Sequence, residues 1–194
     1  MIVEHEVVID QCDSRVYYLE YKTSEVLNAM PQRQPFDFQT YVHDIQTKPC
    51  FICEMMSGNP AYAHEIIYED DHAIAFLNKY PVLYGYVLVA PRQHREQVTG
   101  DFALDEYLNL QRVIYRVAEA VRRVVNPERV YILSLGSQQG NKHVHWHIAP
   151  LPSGVPFEQQ QLEALHLTGG FLQLSDDELA ALTLQRREAL VAVQ

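Results

Sequence analysis

The feature that most constrains this chain is residues 143–150, where three histidines alternate with three apolar residues and a proline follows. In a β-strand, successive side chains point to opposite faces, whereas in an α-helix the three histidines would fan apart. The stretch is therefore predicted to be a strand with His143, His145 and His147 on one face and a buried apolar face behind them. Pro150 is expected to end its pairing, because proline has no N–H to donate.

A row of three imidazoles suits two kinds of chemistry. The ordinary pKa of imidazole is near 6.5, so at neutral pH the row can hold a neutral nucleophile beside hydrogen-bond donors, as reactions at a phosphate require. Neutral imidazole is also a common metal ligand. The residues alone leave both uses open, and a solvated histidine-rich strand is the third interpretation.

Composition narrows the class of protein. The chain has 194 residues, 47% of them hydrophobic, enough for one globular core with extensions. Its net charge of −10 argues against a nucleic-acid coat protein, because binding to phosphate backbones depends on Lys and Arg. No apolar run approaches the ~20 residues of a membrane span, and no secretory signal is apparent. Three cysteines are too few for a disulfide framework, so we expect a cytoplasmic protein with reduced thiols.

Two of the cysteines, Cys50 and Cys53, form a C-x-x-C pair. Thiolates are good zinc ligands and zinc takes four ligands, so the pair could be half of a site that histidines complete. A redox pair and a chance occurrence are the alternatives. A thioredoxin-like role would need a βαβ segment after the pair, whereas the following residues predict a hairpin.

The remaining segments alternate between strand and helix patterns. The predicted elements are short strands at 7–9 and 16–19, a loop at 31–35, a hairpin over 65–78, a buried strand over 85–91, a helix over 101–125, a strand over 129–135 and helices over 157–167 and 175–193. Asp101 is expected to cap the long helix, and Ser175 opens a capping box. One stripe of the long helix is expected to lie on the sheet, and it consists of Leu104, Tyr107, Leu108, Gln111, Ile114, Tyr115, Ala118, Val121 and Val125.

A polar loop at residues 136–142 leads into the histidines and is more typical of an anion cradle than of a plain hairpin loop. Asn78, which ends a predicted strand, is either a turn residue or an amide that binds a ligand. His94 follows the strand at 85–91, and as an isolated histidine it would most often be a surface residue.

The histidine stretch resembles the signature of the histidine triad family of nucleotide hydrolases and transferases. The similarity runs from the C-x-x-C pair through Asn78, His94, the long helix and the polar loop, over about residues 49–152. It implies an α+β fold, with an antiparallel sheet of about five strands and one long helix, and a homodimer. Residues 1–48 and 153–194 lie outside it and are predicted to be an N-terminal arm packed on the core and a C-terminal helical extension.

The resemblance also implies a metal site, and the zinc-containing relatives are the closer parallel. Cys50, Cys53, His94 and His143 would hold one zinc ion. Two thiolates and two imidazoles fill a tetrahedron, so the metal would be structural, with no open position for water.

The three histidines would form the catalytic set. The resemblance implies that His145 attacks the α-phosphorus of a purine nucleotide, with its other ring nitrogen held as N–H by a backbone carbonyl. His147 would donate to phosphate oxygens or to the leaving group. The side chains implied to bind substrate are Asn78, Ser137, Gln139 and Asn141. The base is expected in an apolar slot near Phe51, Ile52 and Phe76.

The chain departs from the family pattern at Tyr86, where many relatives have histidine, and in residues 136–142, which form a shorter loop than in many of them. Four functions stay open. They are a hydrolase of nucleotide phosphoramidates or dinucleoside polyphosphates, a phosphorylase that uses inorganic phosphate, a nucleotide-binding regulator with weak activity, and a structural zinc protein.

Overall fold

The computed structural model of the protein describes residues 32–193, which form seven strands and four α-helices. The strands are β1 (Arg33–Gln34), β2 (Ile66–Glu69), β3 (Ala73–Leu77), β4 (Val87–Pro91), β5 (Arg129–Ser134), β6 (Trp146–Leu151) and β7 (Phe171–Leu172). The helices are α1 (Phe38–Thr47), α2 (Phe51–Met56), α3 (Leu104–Val125) and α4 (Asp176–Val191). The strands predicted at 7–9 and 16–19 lie outside the described residues.

Five strands form an antiparallel sheet in the order β2-β3-β4-β6-β5, and β1 pairs with β7 in a separate two-stranded ribbon. The predicted α+β fold, with its five-stranded sheet and one long helix, is confirmed. The predicted hairpin is β2-β3, and Asp70 shapes its turn by accepting hydrogen bonds from the backbone of His72 and Ala73 at 2.8 and 2.7 Å. Residues 33–34, predicted as loop, are β1, and the sequence pattern gave no sign of α1.

The histidine stretch is less regular than predicted. β6 begins at Trp146, so only His147 of the three histidines lies in the strand, and the other two precede it. The alternation nevertheless holds, because the apolar residues of the stretch are buried against α3. Their exposed fractions are 4% for Val144, 5% for Trp146 and 0% for Ile148. His147 pairs with Leu88 of β4, and this places it on the opposite face, toward α2.

Pro150 does not end the pairing, contrary to the prediction. β6 continues to Leu151, and Pro150 lies opposite Val130 of β5. The pairing of β6 with β4 ends at Ile148, so β6 has a neighbour on one side only at Pro150. A proline is tolerated where the missing N–H would face the unpaired side.

The long helix, α3, begins three residues later than predicted, and Ala103 rather than Asp101 is its N-cap. The Asp101 carboxylate instead accepts hydrogen bonds from the backbone of Glu96 and Gln97 at 2.8 and 2.9 Å. The buried side of the helix agrees with the predicted stripe at Ile114, Ala118 and Val121 and differs from it elsewhere. Its buried residues are Leu110, Val113, Ile114, Val117, Ala118, Ala120 and Val121.

Three members of the predicted α3 stripe face outward. Leu104, Leu108 and Tyr115 are 71%, 45% and 59% exposed. The apolar residues of α3 extend around more than one side of the helix, and the sheet covers only one of those sides.

The predicted tail helix over 157–167 is wrong. That region consists of short 3₁₀ turns at Phe157–Gln159 and Glu163–Leu165, and a third follows at Leu167–Gly169. Gln161, between the first two, has a φ of 58°, and an α-helix does not pass through a left-handed residue.

The last helix, α4, matches its prediction. The Ser175 hydroxyl accepts from the backbone of Glu178, and the Glu178 carboxylate accepts from the backbone of Ser175 at 2.7 Å. Leu182 and Leu190 join the core formed by α3 and the sheet. Within residues 32–193, no helix is both long and apolar enough to cross a bilayer.

Candidate active site and metal centre

Two cysteines and two histidines meet at one end of the sheet. Cys50 is the N-cap of α2 and Cys53 lies in its first turn, while His94 follows β4 and His143 precedes β6. The Sγ of Cys50 lies 3.5 Å from His143 Nδ1, and the Sγ of Cys53 lies 3.6 Å from the same nitrogen and 3.3 Å from His94 Nδ1. All four potential ligand atoms lie within 4.8 Å of one another.

Both imidazoles are oriented as metal ligands usually are. His143 Nε2 donates to the Pro91 carbonyl at 2.9 Å, which leaves Nδ1 with a free lone pair. His94 Nε2 lies 3.3 Å from a carboxylate oxygen of Glu96, so its Nδ1 also faces the cysteines as an acceptor. Burial lowers the pKa of His143 to about 4, so its ring is neutral, the form that binds metals.

The spacing of the four atoms fits a tetrahedral ion. Zn–S bonds of about 2.3 Å and Zn–N bonds of about 2.0–2.1 Å give a tetrahedron with edges of about 3.3–3.8 Å. The separations of 3.3–3.6 Å fall in that range. Burial, with the neighbouring Cys50 thiol, raises the pKa of Cys53 to about 11, so a bound cation is what would favour its thiolate. These residues could therefore hold a metal ion.

His145 has the tautomer that a nucleophile needs. Its Nδ1 lies 2.8 Å from the backbone carbonyl of His143, and because a carbonyl only accepts, Nδ1 carries the proton. Burial lowers the pKa of His145, so the ring is neutral and Nε2 keeps its lone pair. Ser134 donates to the His145 carbonyl at 2.9 Å, which ties this residue to β5.

The His145 ring is less accessible than an open phosphate pocket would make it. The residue is 3% exposed, and its aromatic neighbours are Phe51 and His147, with ring centroids 5.9 and 4.9 Å away. Side chains around the ring would have to move for a substrate to reach it. Of the residues predicted near the base, Ile52 and Phe76 are fully buried in the core under α2, and the slot itself stays a prediction.

His147 is paired with Tyr86, the position where the chain departs from the family pattern. The Tyr86 hydroxyl lies 3.0 Å from His147 Nδ1, while His147 Nε2 is buried with no hydrogen-bond partner among residues 32–193. Burial lowers the pKa of His147 to about 3, and the neighbouring His145 adds to the shift. The ring is therefore neutral over the whole physiological range of pH.

The polar loop at 136–142 closes on itself. Ser137 and Gly140 exchange two backbone hydrogen bonds, and the Ser137 hydroxyl accepts from the backbone of Gln139 at 3.1 Å. Asn141 has a φ of 54° and donates through its side chain to the Tyr41 hydroxyl of α1 at 2.8 Å. The loop is thus shaped mainly by its own contacts and by α1.

The structure does not bring all the predicted substrate-binding residues together. Ser137 and Asn141 line a cavity of about 240 Å³ that is also lined by Glu96 and Lys142, but His145 and His147 do not line it, and neither does Gln139.

Asn78 acts locally as a turn residue, because its side-chain oxygen accepts from the backbone of Tyr80 at 3.0 Å. Its backbone N–H donates to the Tyr86 carbonyl at 3.0 Å, which connects it to the pair at His147. Tyr41, the hydrogen-bond partner of Asn141, was not predicted from the sequence, and no local sequence pattern indicates it. Tyr86 was noted in the sequence only as a departure from the family pattern, and its hydrogen bond to His147 was not predicted.

Similarity to known proteins decides the family. The model of the HIT domain matches residues 60–153. An uncharacterized HIT-like protein of Saccharolobus solfataricus is 31% identical over 111 residues, which cover 55% of this chain and 77% of the relative. The chain belongs to the histidine triad (HIT) family. A second uncharacterized HIT-like protein, from Methanocaldococcus jannaschii, is 30% identical over 108 residues, which cover 54% of this chain and 81% of the relative.

Solved HIT structures share the fold. A hypothetical histidine triad nucleotide-binding protein from Sulfolobus tokodaii superposes with a TM-score of 0.60 at 24% identity, over 74% of this chain and 93% of that one. A Zn-bound histidine triad family protein from Mycobacterium smegmatis superposes with a TM-score of 0.57 at 23% identity, over 74% and 94% of the two chains. At these identities the likeness concerns the fold alone.

Proposed function

We propose that this HIT protein is a nucleotide hydrolase that cleaves at the α-phosphate through a covalent nucleotidyl-His145 intermediate. The substrate class is nucleoside phosphoramidates or dinucleoside polyphosphates with a purine base. The single observation that carries the proposal is the 2.8 Å hydrogen bond from His145 Nδ1 to the His143 carbonyl. It fixes the tautomer whose Nε2 can attack phosphorus. Membership of the family, and the name of the Sulfolobus tokodaii relative, support the choice of a nucleotide.

The reaction would proceed in two displacements. The Nε2 lone pair of His145 forms a bond to the α-phosphorus, and the bond to the leaving oxygen or nitrogen breaks. The leaving group takes that electron pair and is protonated by water. Water then attacks phosphorus, the N–P bond breaks with its electron pair returning to Nε2, and the nucleoside monophosphate leaves. Splitting the reaction in this way replaces one hard step with two easier ones.

Charge on the phosphate would be stabilised by hydrogen-bond donors rather than by a carboxylate-bound magnesium ion. His147 is the donor that lies beside the nucleophile, with ring centroids 4.9 Å apart. Ser137, Gln139, Asn141 and the amide of Asn78 are proposed as further substrate contacts. Their present hydrogen bonds within the loops mean that they would exchange partners when the substrate binds.

The test is a panel of adenine and guanine phosphoramidates and dinucleoside polyphosphates, with mass spectrometry of protein quenched by denaturant at alkaline pH, where an N–P bond to histidine is stable. We expect turnover and a nucleotidyl adduct on a peptide that contains His145. His145→Ala should abolish both, whereas His166→Ala, which alters an exposed histidine, should leave both intact. Unchanged turnover by His145→Ala would refute the mechanism.

The acceptor of the intermediate distinguishes a hydrolase from a phosphorylase. With a dinucleoside tetraphosphate in the presence of inorganic phosphate, the leaving group is a nucleoside triphosphate in both reactions. A hydrolase releases the nucleoside monophosphate beside it, whereas a phosphorylase releases the nucleoside diphosphate. We expect the monophosphate at every phosphate concentration. A diphosphate product would assign the chain to the transferase class while leaving the His145 step in place.

We further propose that Cys50, Cys53, His94 and His143 bind zinc as a closed structural site. The donor set and spacing fit, and the Mycobacterium smegmatis relative is described as Zn-bound. Metal analysis of purified protein should find about one zinc ion per chain. Cys50→Ser should lower that content sharply, and Cys12→Ser, a control outside the proposed ligand set, should not. Undiminished zinc in Cys50→Ser would remove this residue from the site.

A homodimer is the proposed assembly. Support comes from the outward apolar side of α3, with Leu104 71% and Leu108 45% exposed, and from β5, an edge strand on which Ile132 is 48% exposed. Edge strands and exposed apolar helix faces are common at subunit interfaces. Light scattering after gel filtration should report a dimer. Leu108→Glu should shift the protein toward monomer, whereas Leu184→Glu, at an exposed position of α4, should not.

A further inference from the structure

Tyr86 lies at the centre of the site but has no role in the mechanism described so far. It directly precedes β4, is 5% exposed, and its hydroxyl lies 3.0 Å from His147 Nδ1. The two rings pack in a tilted arrangement with centroids 5.7 Å apart. A tyrosine hydroxyl buried against one particular ring nitrogen controls the hydrogen-bonding state of that ring.

The direction of this hydrogen bond follows from the inventory of donors and acceptors. Burial raises the pKa of Tyr86, so its phenol keeps the proton. Among the described residues, His147 Nδ1 is the one acceptor within hydrogen-bonding distance of that proton. If Nδ1 carried a proton of its own, the phenol proton would be buried without an acceptor, and this is unfavourable. Nδ1 therefore accepts, and the single proton of the neutral His147 ring lies on Nε2.

The Nε2–H group of His147 is left free for a ligand. The atom is buried and has no hydrogen-bond partner in the part of the chain that the structure describes. An unsatisfied buried donor is unfavourable until an acceptor arrives, and an oxygen of a phosphate bonded to His145 would be such an acceptor. The His145 ring lies next to it, with centroids 4.9 Å apart.

The backbone around Tyr86 is held from several directions, so the hydroxyl is fixed in place. The Tyr86 carbonyl accepts from Asn78 N–H at 3.0 Å, and its N–H donates to the Leu83 carbonyl at 3.3 Å. The preceding carbonyl, of Gly85, accepts from Arg186 of α4 at 3.3 Å, and Arg186 is fully buried. The C-terminal extension therefore contacts the segment that carries this tyrosine.

We infer that Tyr86 is a positioning residue that holds His147 with its proton on Nε2, so that an N–H donor stands beside the His145 nucleophile. The inference rests on the proposed function for its catalytic consequence but not for the tautomer itself. A histidine at this position, as in many relatives, could either donate or accept. Of the acceptors in the described residues, Nδ1 is the one near the buried phenol, so the phenol donates its proton there and the tautomer of His147 is fixed.

The decisive measurement is the tautomeric state of His147 in the intact protein by long-range ¹H–¹⁵N NMR, without substrate. We expect the Nε2–H tautomer in the wild type and a mixture of tautomers in Tyr86→Phe. Tyr68→Phe is the control, because it removes a tyrosine hydroxyl that donates to Asp70 in an exposed hydrogen bond, and it should leave His147 unchanged. A wild-type Nδ1–H tautomer, or an unchanged His147 in Tyr86→Phe, would overturn the inference.

Kinetics test the consequence for the reaction. With the best substrate of the nucleotide panel, Tyr86→Phe should lower kcat about tenfold with little change in KM, because one donor to the transition state is no longer held in place. Tyr68→Phe should retain both constants. A raised KM with unchanged kcat would contradict the positioning role. If the wild type turns over no nucleotide, the proposed hydrolase fails, while the NMR result still decides the assignment of Tyr86.

Discussion

At the scale of single residues, burial rather than sequence sets the protonation of the site. His143, His145 and His147 each have a lowered pKa, and burial is the main cause for each of them. Hydrogen bonds then choose which nitrogen carries the remaining proton. A backbone carbonyl makes this choice for His143 and His145, and Tyr86 makes it for His147.

The lowered pKa of His147 makes the stability of the protein depend on pH. The pKa is about 3 in the folded state and near 6.5 in an unfolded chain, so the unfolded state binds more protons between these values. The contribution of His147 is complete above pH 6.5 and is lost as the pH falls toward 3. Denaturant unfolding between pH 4 and 7 measures how the free energy of unfolding falls as the pH is lowered. This fall should be less steep for His147→Gln than for the wild type, by up to about 1.4 kcal/mol per pH unit. His166→Gln should match the wild type.

Gly85 should tolerate no side chain. Its φ is 84°, and a Cβ built there would overlap Arg186 Nη2 and lie 2.8 Å from a methyl group of Val125. Gly85→Ala should lower the free energy of unfolding by about 2 kcal/mol or more, because left-handed backbone and overpacking add together. Gly154→Ala isolates the backbone part, since Gly154 has a φ of 86° and open space around it, and should cost about 1 kcal/mol. Equal losses for the two variants would contradict the close contact.

At the scale of elements, a helix cap was predicted correctly where the residue that completes it lies within the same turn. The capping box of α4 was predicted, since Ser175 and Glu178 satisfy each other within one turn. The cap of α3 was not, because Asp101 bonds to the backbone of Glu96 and Gln97 in the preceding loop. Ser175 and Asp101 are both residue types that commonly cap helices, and only the tertiary structure shows that Ser175 does so and Asp101 does not.

The capping box gives a prediction for α4. Ser175→Ala removes the hydroxyl that accepts from the backbone of Glu178, and it should lower the free energy of unfolding by about 1 kcal/mol. Urea unfolding followed by circular dichroism measures this change. Ser153→Ala, an exposed serine in a turn, is the control and should be neutral. A neutral result for Ser175→Ala would show that core packing through Leu182 and Leu190 fixes the helix without its cap.

At the scale of the whole molecule, the cysteine–histidine cluster connects parts of the chain that are far apart in sequence. It joins the start of α2, the residues after β4 and the residues before β6. A metal held there would cross-link these three segments and fix the backbone of His143, whose carbonyl orients His145. In the proposed mechanism, such a metal would therefore support His145 without touching the substrate.

Removing the metal should weaken the fold as a whole. An ion that binds only the native state stabilises it, so prolonged chelation should lower the melting temperature by several degrees, and added zinc should restore it. Cys53→Ser protein should begin at a lower melting temperature and respond little to the chelator. Cys12→Ser should behave like the wild type. A melting temperature indifferent to chelation would contradict a structural metal at this cluster.

The sequence by itself determined the α+β class, the hairpin at β2-β3, the last helix and the meeting of two cysteines with two histidines. These features follow from period-two and capping patterns that operate over a few residues, or from a family signature whose spacing is fixed. The division of the chain into 1–48, 49–152 and 153–194, and the roles of the site residues, stay predictions.

Only the tertiary structure decided which side of α3 is buried, why Pro150 can remain in β6, and how His147 is paired. Each depends on what lies across from the residue: a sheet that covers one side of a helix, a strand whose second neighbour has ended, or a phenol from the residue that precedes another strand. Periodicity along the chain shows which residues share a face, but the partner of that face comes from residues that are distant in sequence.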